Sequence, residues 1–252
     1  MAEDVVVVTG GSRGIGAAAA RRLASTGATV LLTYVSSAGR ADEVVAEIVG
    51  QGGKAVALRA DVGTEDDCLR IFAEADRIGR LRGLVNNAGV VDLACRVTDM
   101  SFERLRRIFD INVLGSIVCA REAVRRMSTA HGGDGGSIVN LSSASAKLGS
   151  PDQYVDYAAA KGAIDTFTVG LAKEVAGEGI RVNAVRPGII DTEIHSSGGD
   201  PDRAARMAAD LPMRRAGTAE ECAEAIAWLM SDAASYTTGA ILDVSGGRSI
   251  LP

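Results

Sequence analysis

The chain has 252 residues, 47% of them hydrophobic and 23% charged, and a formal net charge of −5. That length suits one α/β domain with a full core, or two small ones, and the mild acidic excess argues against a general attraction to nucleic acid or anionic membranes. No apolar run approaches the roughly 18–20 residues that span a bilayer, and MAEDVVVV has no basic segment ahead of its apolar run, so neither a membrane anchor nor a signal peptide is expected.

In chain order, seven short runs predict strands: VVVVT (5–9), ATVLLTY (28–34), KAVALRA (54–60), RGLVNNA (82–88), SIVNLSS (137–143), IRVNAVRP (180–187) and AILDVSG (240–246). Several are continuously apolar rather than alternating, as in parallel strands covered on both faces. Helical patterns such as GAAAARRLAST, ADEVVAEIVGQ and EECAEAIAWLM lie between them. The alternation predicts an α/β fold: a Rossmann-type doubly wound parallel sheet of seven strands with helices on both faces. HGGDGG (131–136) joins a helix to a strand rather than dividing the chain, so residues 1–252 are read as one domain. The segment at about 190–215 has no strand partner and follows a strand end, where open α/β sheets bind ligands. It is read as a mobile lid, with an irregular loop as the alternative.

TGGSRGIG (9–16) sits at the corner between the first strand and the first helix. Gly10, Gly14 and Gly16 open that helix, where exposed amides and the helix dipole favour an anion and a missing Cβ lets a pyrophosphate approach. The spacing is G-x-x-x-G-x-G rather than G-x-G-x-x-G. Metal and hydrolase readings find little support. Cys68, Cys95, Cys119 and Cys222 form no C-x-x-C pair, and the two histidines, His131 and His195, have no ligand partner at helical spacing, so no metal site is expected. Free or buried thiols in a reducing cytoplasm are expected instead, and GSRGIG is not a nucleophile elbow.

TGGSRGIG resembles the cofactor loop of the short-chain dehydrogenase/reductase family, and further family motifs follow in the family's order. They are NNAG (86–89), NV at Asn112 in a long helix, SS ending the fifth strand, YAAAK (157–161) and RPGIIDT (186–192). Within the family the pattern is similar to bacterial 3-oxoacyl-acyl-carrier-protein reductases and glucose 1-dehydrogenase-like members. The resemblance implies a catalytic set of Asn112, Ser143, Tyr157 and Lys161. It implies a cofactor site of Gly10, Ser12, Arg13, Gly14, Ile15, Gly16, Tyr34, Ser36, Asp61, Val62, Asn87, Ala88, Gly89, Tyr157, Lys161, Pro187, Gly188, Ile190 and Thr192. In it Asp61, ending the third strand, binds adenine, and Asn87, Ala88 and Gly89 line the ribose region. Ile190 offers backbone groups to the carboxamide, and Thr192 a hydroxyl near the pyrophosphate or carboxamide. Asn112 orders a water behind Lys161 in a proton relay; its alternative is a satisfied core amide. Tyr154 and His195 either flank the substrate pocket or are a partly buried aromatic and a surface histidine.

Tyr157 and Lys161, four apart on a helix, share a face, and of the four tyrosines only Tyr157 has lysine at that spacing. A free phenol has a pKa of ~10. A neighbouring ammonium is expected to lower it, as is an oxidised nicotinamide, so that Tyr157 can give or take a proton at the substrate oxygen while the cofactor carries the hydride. Ser142, Ser143 and Ser145 compete to bind that oxygen. Strand alternation separates Ser142 from Ser143 without choosing between them; the resemblance places the role on Ser143.

The second strand ends LLTYVSSAGR, with no acid before Asp42 to accept from a 2′-hydroxyl. Ser36, Ser37 and Arg13, with Arg40 as a second cation, suit a 2′-phosphate, so NADP(H) is expected over NAD(H); tolerance of both is the alternative. The sequence therefore predicts a cytoplasmic oxidoreductase that exchanges a hydride between NADP(H) and a carbonyl or secondary alcohol on a small molecule. An NAD(H)-dependent alcohol or sugar dehydrogenase and a non-catalytic dinucleotide sensor are the alternatives. The helices at 102–127 and 155–175 suggest a homotetramer. Arg125, Arg126, Arg214 and Arg215 are open to two readings, attraction of an acidic acyl carrier protein or surface charge.

Overall fold

A computed structural model describes residues 3–250, leaving aside the side chain of His195. Seven strands form one sheet: β1 (Asp4–Val8), β2 (Thr29–Tyr34), β3 (Lys54–Arg59), β4 (Arg80–Asn86), β5 (Gly136–Leu141), β6 (Ile180–Pro187) and β7 (Ile241–Val244). Their order is β3-β2-β1-β4-β5-β6-β7, and every neighbouring pair is parallel. The helices are α1 (Gly14–Ala24), α2 (Ala38–Gly50), α3 (Glu65–Ile78), α4 (Phe102–Phe109), α5 (Gly115–Met127), α6 (Ser145–Leu148), α7 (Val155–Val175), α8 (Ile194–Ser197), α9 (Arg203–Met207) and α10 (Ala219–Met230).

The valine run of β1 shows why the strands read as continuously apolar. Val6 and Val8 pack into the layer of α1, α2 and α10, and Val5 and Val7 into that of α3, α5 and α7. Burying each contributes about 1.5–3 kcal/mol, and a polar residue on either face would forfeit that. On α1 the four alanines 17–20 are buried, and their small side chains let the helix lie close to the sheet and to α10. The strand order reverses between β1 and β4, which opens a crevice above their carboxyl ends.

Some boundaries differ from those expected. β3 stops at Arg59, two residues short of Asp61, because the Asp61 amide turns to donate to Asp67 Oδ2 at 2.7 Å. β4 stops at Asn86 because the amides of Asn87 and Ala88 both donate to Thr9 Oγ1 at 3.0 Å. Ser142 and Ser143 lie just beyond β5 rather than within it. The expected long helix around Asn112 is interrupted by one wider π turn, Asp110–Leu114, between α4 and α5. Among the described residues between β6 and α10, a parallel bridge joins Ile190 to Gly217. Among the described residues no helix is long and apolar enough to cross a membrane.

Candidate active site

The crevice begins at the glycine corner. Gly10 (φ +65°) and Gly14 (φ +52°) hold left-handed backbone there, which suits glycine far better than other residues. Gly16 serves packing: a Cβ on it would lie 2.3 Å from the Gly10 carbonyl oxygen and 2.4 Å from Asn87 Nδ2. Its glycine therefore seats the helix against its own turn. Helix α1 carries no side-chain cap and no acid in its first turn. Its leading amides open on a groove whose wall includes Gly10, Ser12, Arg13, Gly14, Ile15, Tyr34, Ser36, Asp61, Val62, Asn87, Ala88, Gly89 and Thr192. An uncapped helix start facing such a groove fits the phosphates of a dinucleotide. All the residues expected at the cofactor border this groove or the cavity beside it except Gly16.

The cations of the groove are not equivalent. Arg13 is exposed and forms no ion pair among the described residues. Arg40 pairs with Glu193 at 2.7 Å, so the second expected cation is already compensated. Arg107 on the groove wall pairs with Asp92 at 3.1 Å. A cation not foreseen from sequence, Arg59, donates to the Val35 carbonyl at 3.1 Å, beside Ser36.

The adjoining cavity takes its wall from Ser143, Tyr154, Tyr157, Lys161, Pro187, Gly188, Ile190 and Thr192, among others. Tyr157 and Ser143 lie beside one another on this wall, near enough for the Ser143 hydroxyl to act on the phenol. Ser142 is almost fully buried and gives its hydroxyl to the Lys161 carbonyl at 3.3 Å, and Ser145 Oγ accepts from Ser150 Oγ at 3.0 Å. Ser142 and Ser145 thus have hydroxyl partners of their own, and Ser143 is the one of the three that acts on the Tyr157 phenol. The start of α7 is pinned by Asp156, whose Oδ1 accepts from the Tyr157 amide at 2.9 Å and whose Oδ2 accepts from Arg104 Nε at 2.7 Å.

Lys161 is anchored to backbone beside Tyr157. Its ammonium donates to the Leu141 carbonyl at 2.6 Å and stands 5.6 Å from the centroid of the Tyr157 ring. Burial dominates both groups. It pushes the Tyr157 phenol up to about 12, against the pull of the Ser143 hydrogen bond, and brings the Lys161 amine down to about 8, against the opposing effect of Asp165. Asn112 is fully buried, and its side chain is bonded to backbone: Nδ2 donates to Val90 O at 3.0 Å and Ile108 O at 2.9 Å, and Oδ1 accepts from Val90 N at 3.2 Å. It sits behind the cavity, and a Cβ on Gly89 would lie 2.7 Å from Asn112 Oδ1 and 3.4 Å from Lys161 Nζ.

Tyr154 is buried on the cavity wall and donates to the Gly198 carbonyl at 3.2 Å; the side chain of His195 lies outside the described residues. Sequence reasoning missed Arg203 and Arg248, which also line the cavity. The pair Gly246 (φ +58°) and Gly247 (φ +87°) marks the turn that brings Arg248 back to the site, and that turn was the available signal. Of the four surface arginines, Arg125 and Arg126 pair with Glu122 and Arg215 with Glu221, while Arg214 donates to the Ala209 carbonyl. Paired surface charge describes them better than a free cationic patch.

Residues 10–249 match the family model described as enoyl-(acyl carrier protein) reductase. The chain is 51% identical over 245 residues to the uncharacterized oxidoreductase YgfF of Escherichia coli (strain K12), covering 97% of this chain and 99% of that protein. It is 37% identical over 247 residues to glucose 1-dehydrogenase 2 of Bacillus subtilis (strain 168), covering 98% and 96% respectively. The crystal structure of a blue fluorescent protein from a metagenomic library, in complex with NADPH, is 36% identical and has a TM-score of 0.89, with 98% of each chain covered. The chain belongs to the short-chain dehydrogenase/reductase family, as its motifs led one to expect. It is an oxidoreductase that acts on CH–OH groups with a nicotinamide dinucleotide.

Proposed function

We propose that the protein reduces a carbonyl, or oxidises the corresponding secondary alcohol, with NADP(H) as cofactor and Tyr157 as general acid and base. The observation that supports this reading is that Ser143, Tyr157 and Lys161 line one cavity, whose wall shares Ile15, Asn87, Gly89 and Thr192 with the glycine-corner groove. The leading amides of α1 hold the pyrophosphate. Asp61 and Val62 bind the adenine end, Asn87, Ala88 and Gly89 the ribose, and Pro187, Gly188, Ile190 and Thr192 the nicotinamide end. The bound cofactor supplies or accepts the hydride. Ser143 and Tyr157 hydrogen-bond the substrate oxygen, and Tyr157, a phenol that holds its proton at pH 7, gives that proton to the oxygen as a carbonyl is reduced. Lys161 holds the back of the site through the Leu141 carbonyl, and Asn112 braces Val90 and Ile108 behind it. The segment at about 190–215 acts as a lid over the cavity.

The preference for NADP(H) rests on the wall beyond β2, where Tyr34, Ser36 and Ser37 present no carboxylate, and on Arg13. The NADPH complex of the structural neighbour supports it. Exposed Phe102, Phe109 and Leu114 on and beside α4 support self-association; the assembly proposed is a homotetramer, which light scattering would register as a tetrameric mass. The reading is tested by steady-state kinetics with both cofactors: kcat/KM is higher with NADPH, and Arg13→Ala narrows the ratio by weakening NADPH. Preference for NADH, or equal damage to both cofactors, would contradict the assignment of Arg13.

A further inference from the structure

Resting on that reading of the site, we propose that the carbonyl substrate also carries a carboxylate, held in the cavity by Arg203 and Arg248. The cavity wall contains three cations, Lys161, Arg203 and Arg248, and no aspartate or glutamate among the described residues. Lys161 belongs to the reacting end, where its ammonium is bound to the Leu141 carbonyl. The other two come from separate parts of the chain, Arg203 from the start of α9 and Arg248 from the turn after β7.

Neither guanidinium is neutralised by a close partner. Arg203 reaches Asp200 Oδ2 only at 3.8 Å, and that same oxygen is bound more closely by Arg206. Arg203 is only 13% exposed and is fixed in place over the Tyr154 ring, 5.5 Å from its centroid. Arg248, half-buried, gives Nη1 to the thioether sulfur of Met207 at 3.7 Å, a weak and uncharged acceptor. Burial, and after it the nearby Arg203 charge, bring the Arg248 guanidinium below its ordinary pKa.

Two half-buried like charges on one wall are costly unless an anion joins them. An arginine fork matches the two oxygens of a carboxylate and binds them with charge-assisted hydrogen bonds. The neighbouring wall, with Val91, Ile189 and Tyr154, is largely apolar and suits the carbon skeleton between the two ends. An uncharged ketone would leave Arg203 with only its long contact to Asp200, at 3.8 Å, and Arg248 with only the Met207 sulfur. The substrate class is therefore an oxo acid, or in the reverse direction a hydroxy acid.

The test uses purified full-length enzyme and short oxo acids, beginning with 4-oxopentanoate, each paired with its own methyl ester. With NADPH, kcat/KM for the preferred acid exceeds that for its ester by about tenfold or more, mainly through KM. In Arg248→Met the acid-to-ester ratio collapses toward one, and in Arg248→Lys part of it returns. A second arm needs no turnover: titration calorimetry of Tyr157→Phe, with and without NADP+, in which the acid binds about tenfold or more tightly than the ester. If both esters and acids are reduced with no acid preference, or if the preference survives Arg248→Met, the carboxylate assignment fails and the catalytic reading stands. If the acid binds selectively but neither compound is turned over, the catalytic reading fails and the carboxylate site stands. If no acid of the series outbinds its ester, the proposal is overturned.

Discussion

Ser143 lies beside Tyr157 on the cavity wall, while Ser142, one residue earlier, spends its hydroxyl on the Lys161 carbonyl at 3.3 Å. Adjacent serines thus have different work. Ser143→Ala is expected to lower kcat/KM by about 100-fold or more, the range for losing a positioned hydrogen-bonding group at a reacting oxygen. Ser142→Ala removes a buried hydrogen bond and is expected to cost about 1 kcal/mol of stability with a much smaller kinetic effect. Kinetics on both variants and urea unfolding check the split; equal kinetic losses would contradict it.

Lys161 gives a pH-dependent prediction. Burial lowers its folded-state pKa to about 8 from an ordinary value of 10.5, so the unfolded chain holds that proton more tightly. Below about pH 8 the buried ammonium opposes folding in full, and the opposition fades as pH rises from 8 to 10.5. Lys161→Met should therefore be more stable than wild type at pH 7, with the gain shrinking toward pH 10. Unfolding of both proteins at several pH values measures this, and a gain that grows with pH would refute it.

Arg104 and Asp156 fix the start of α7, and the Asp156 side chain is fully buried while that of Arg104 is 10% exposed. Removing only the guanidinium leaves a buried carboxylate uncompensated. Arg104→Met should cost about 3–5 kcal/mol, and Arg104→Met with Asp156→Leu should recover most of it. Urea midpoints of the two proteins decide the matter; a double variant no better than the single one would show that the pair itself, rather than the stranded charge, carries the stability.

What the sequence made legible was local. The valine run of β1, TGGSRGIG and the Tyr157–Lys161 spacing encode strand, corner and helix face within a few residues, and the structure holds the fold they imply. What stayed hidden depends on distant partners. Arg40 looked free until the fold brought Glu193, 153 residues away, to within 2.7 Å. Arg203 and Arg248 meet at one cavity only because the segment after β6 and the turn after β7 converge there. The rise of the Tyr157 phenol had no local signature, because it comes from desolvation by the surrounding fold. Ser142 and Ser143 were indistinguishable while both faces of the sheet were covered, and only the position of α7 separates them.

The central claim is that Tyr157 carries the proton at the reacting oxygen, and Tyr157→Phe tests it most directly. The variant keeps the ring and loses only the hydroxyl, leaving the glycine corner intact. Turnover of a carbonyl substrate and NADPH affinity should be measured on the same preparation. The account predicts a loss of about 1,000-fold or more in kcat with NADPH bound as tightly as by wild type. Retention of more than a few per cent of wild-type turnover would contradict it.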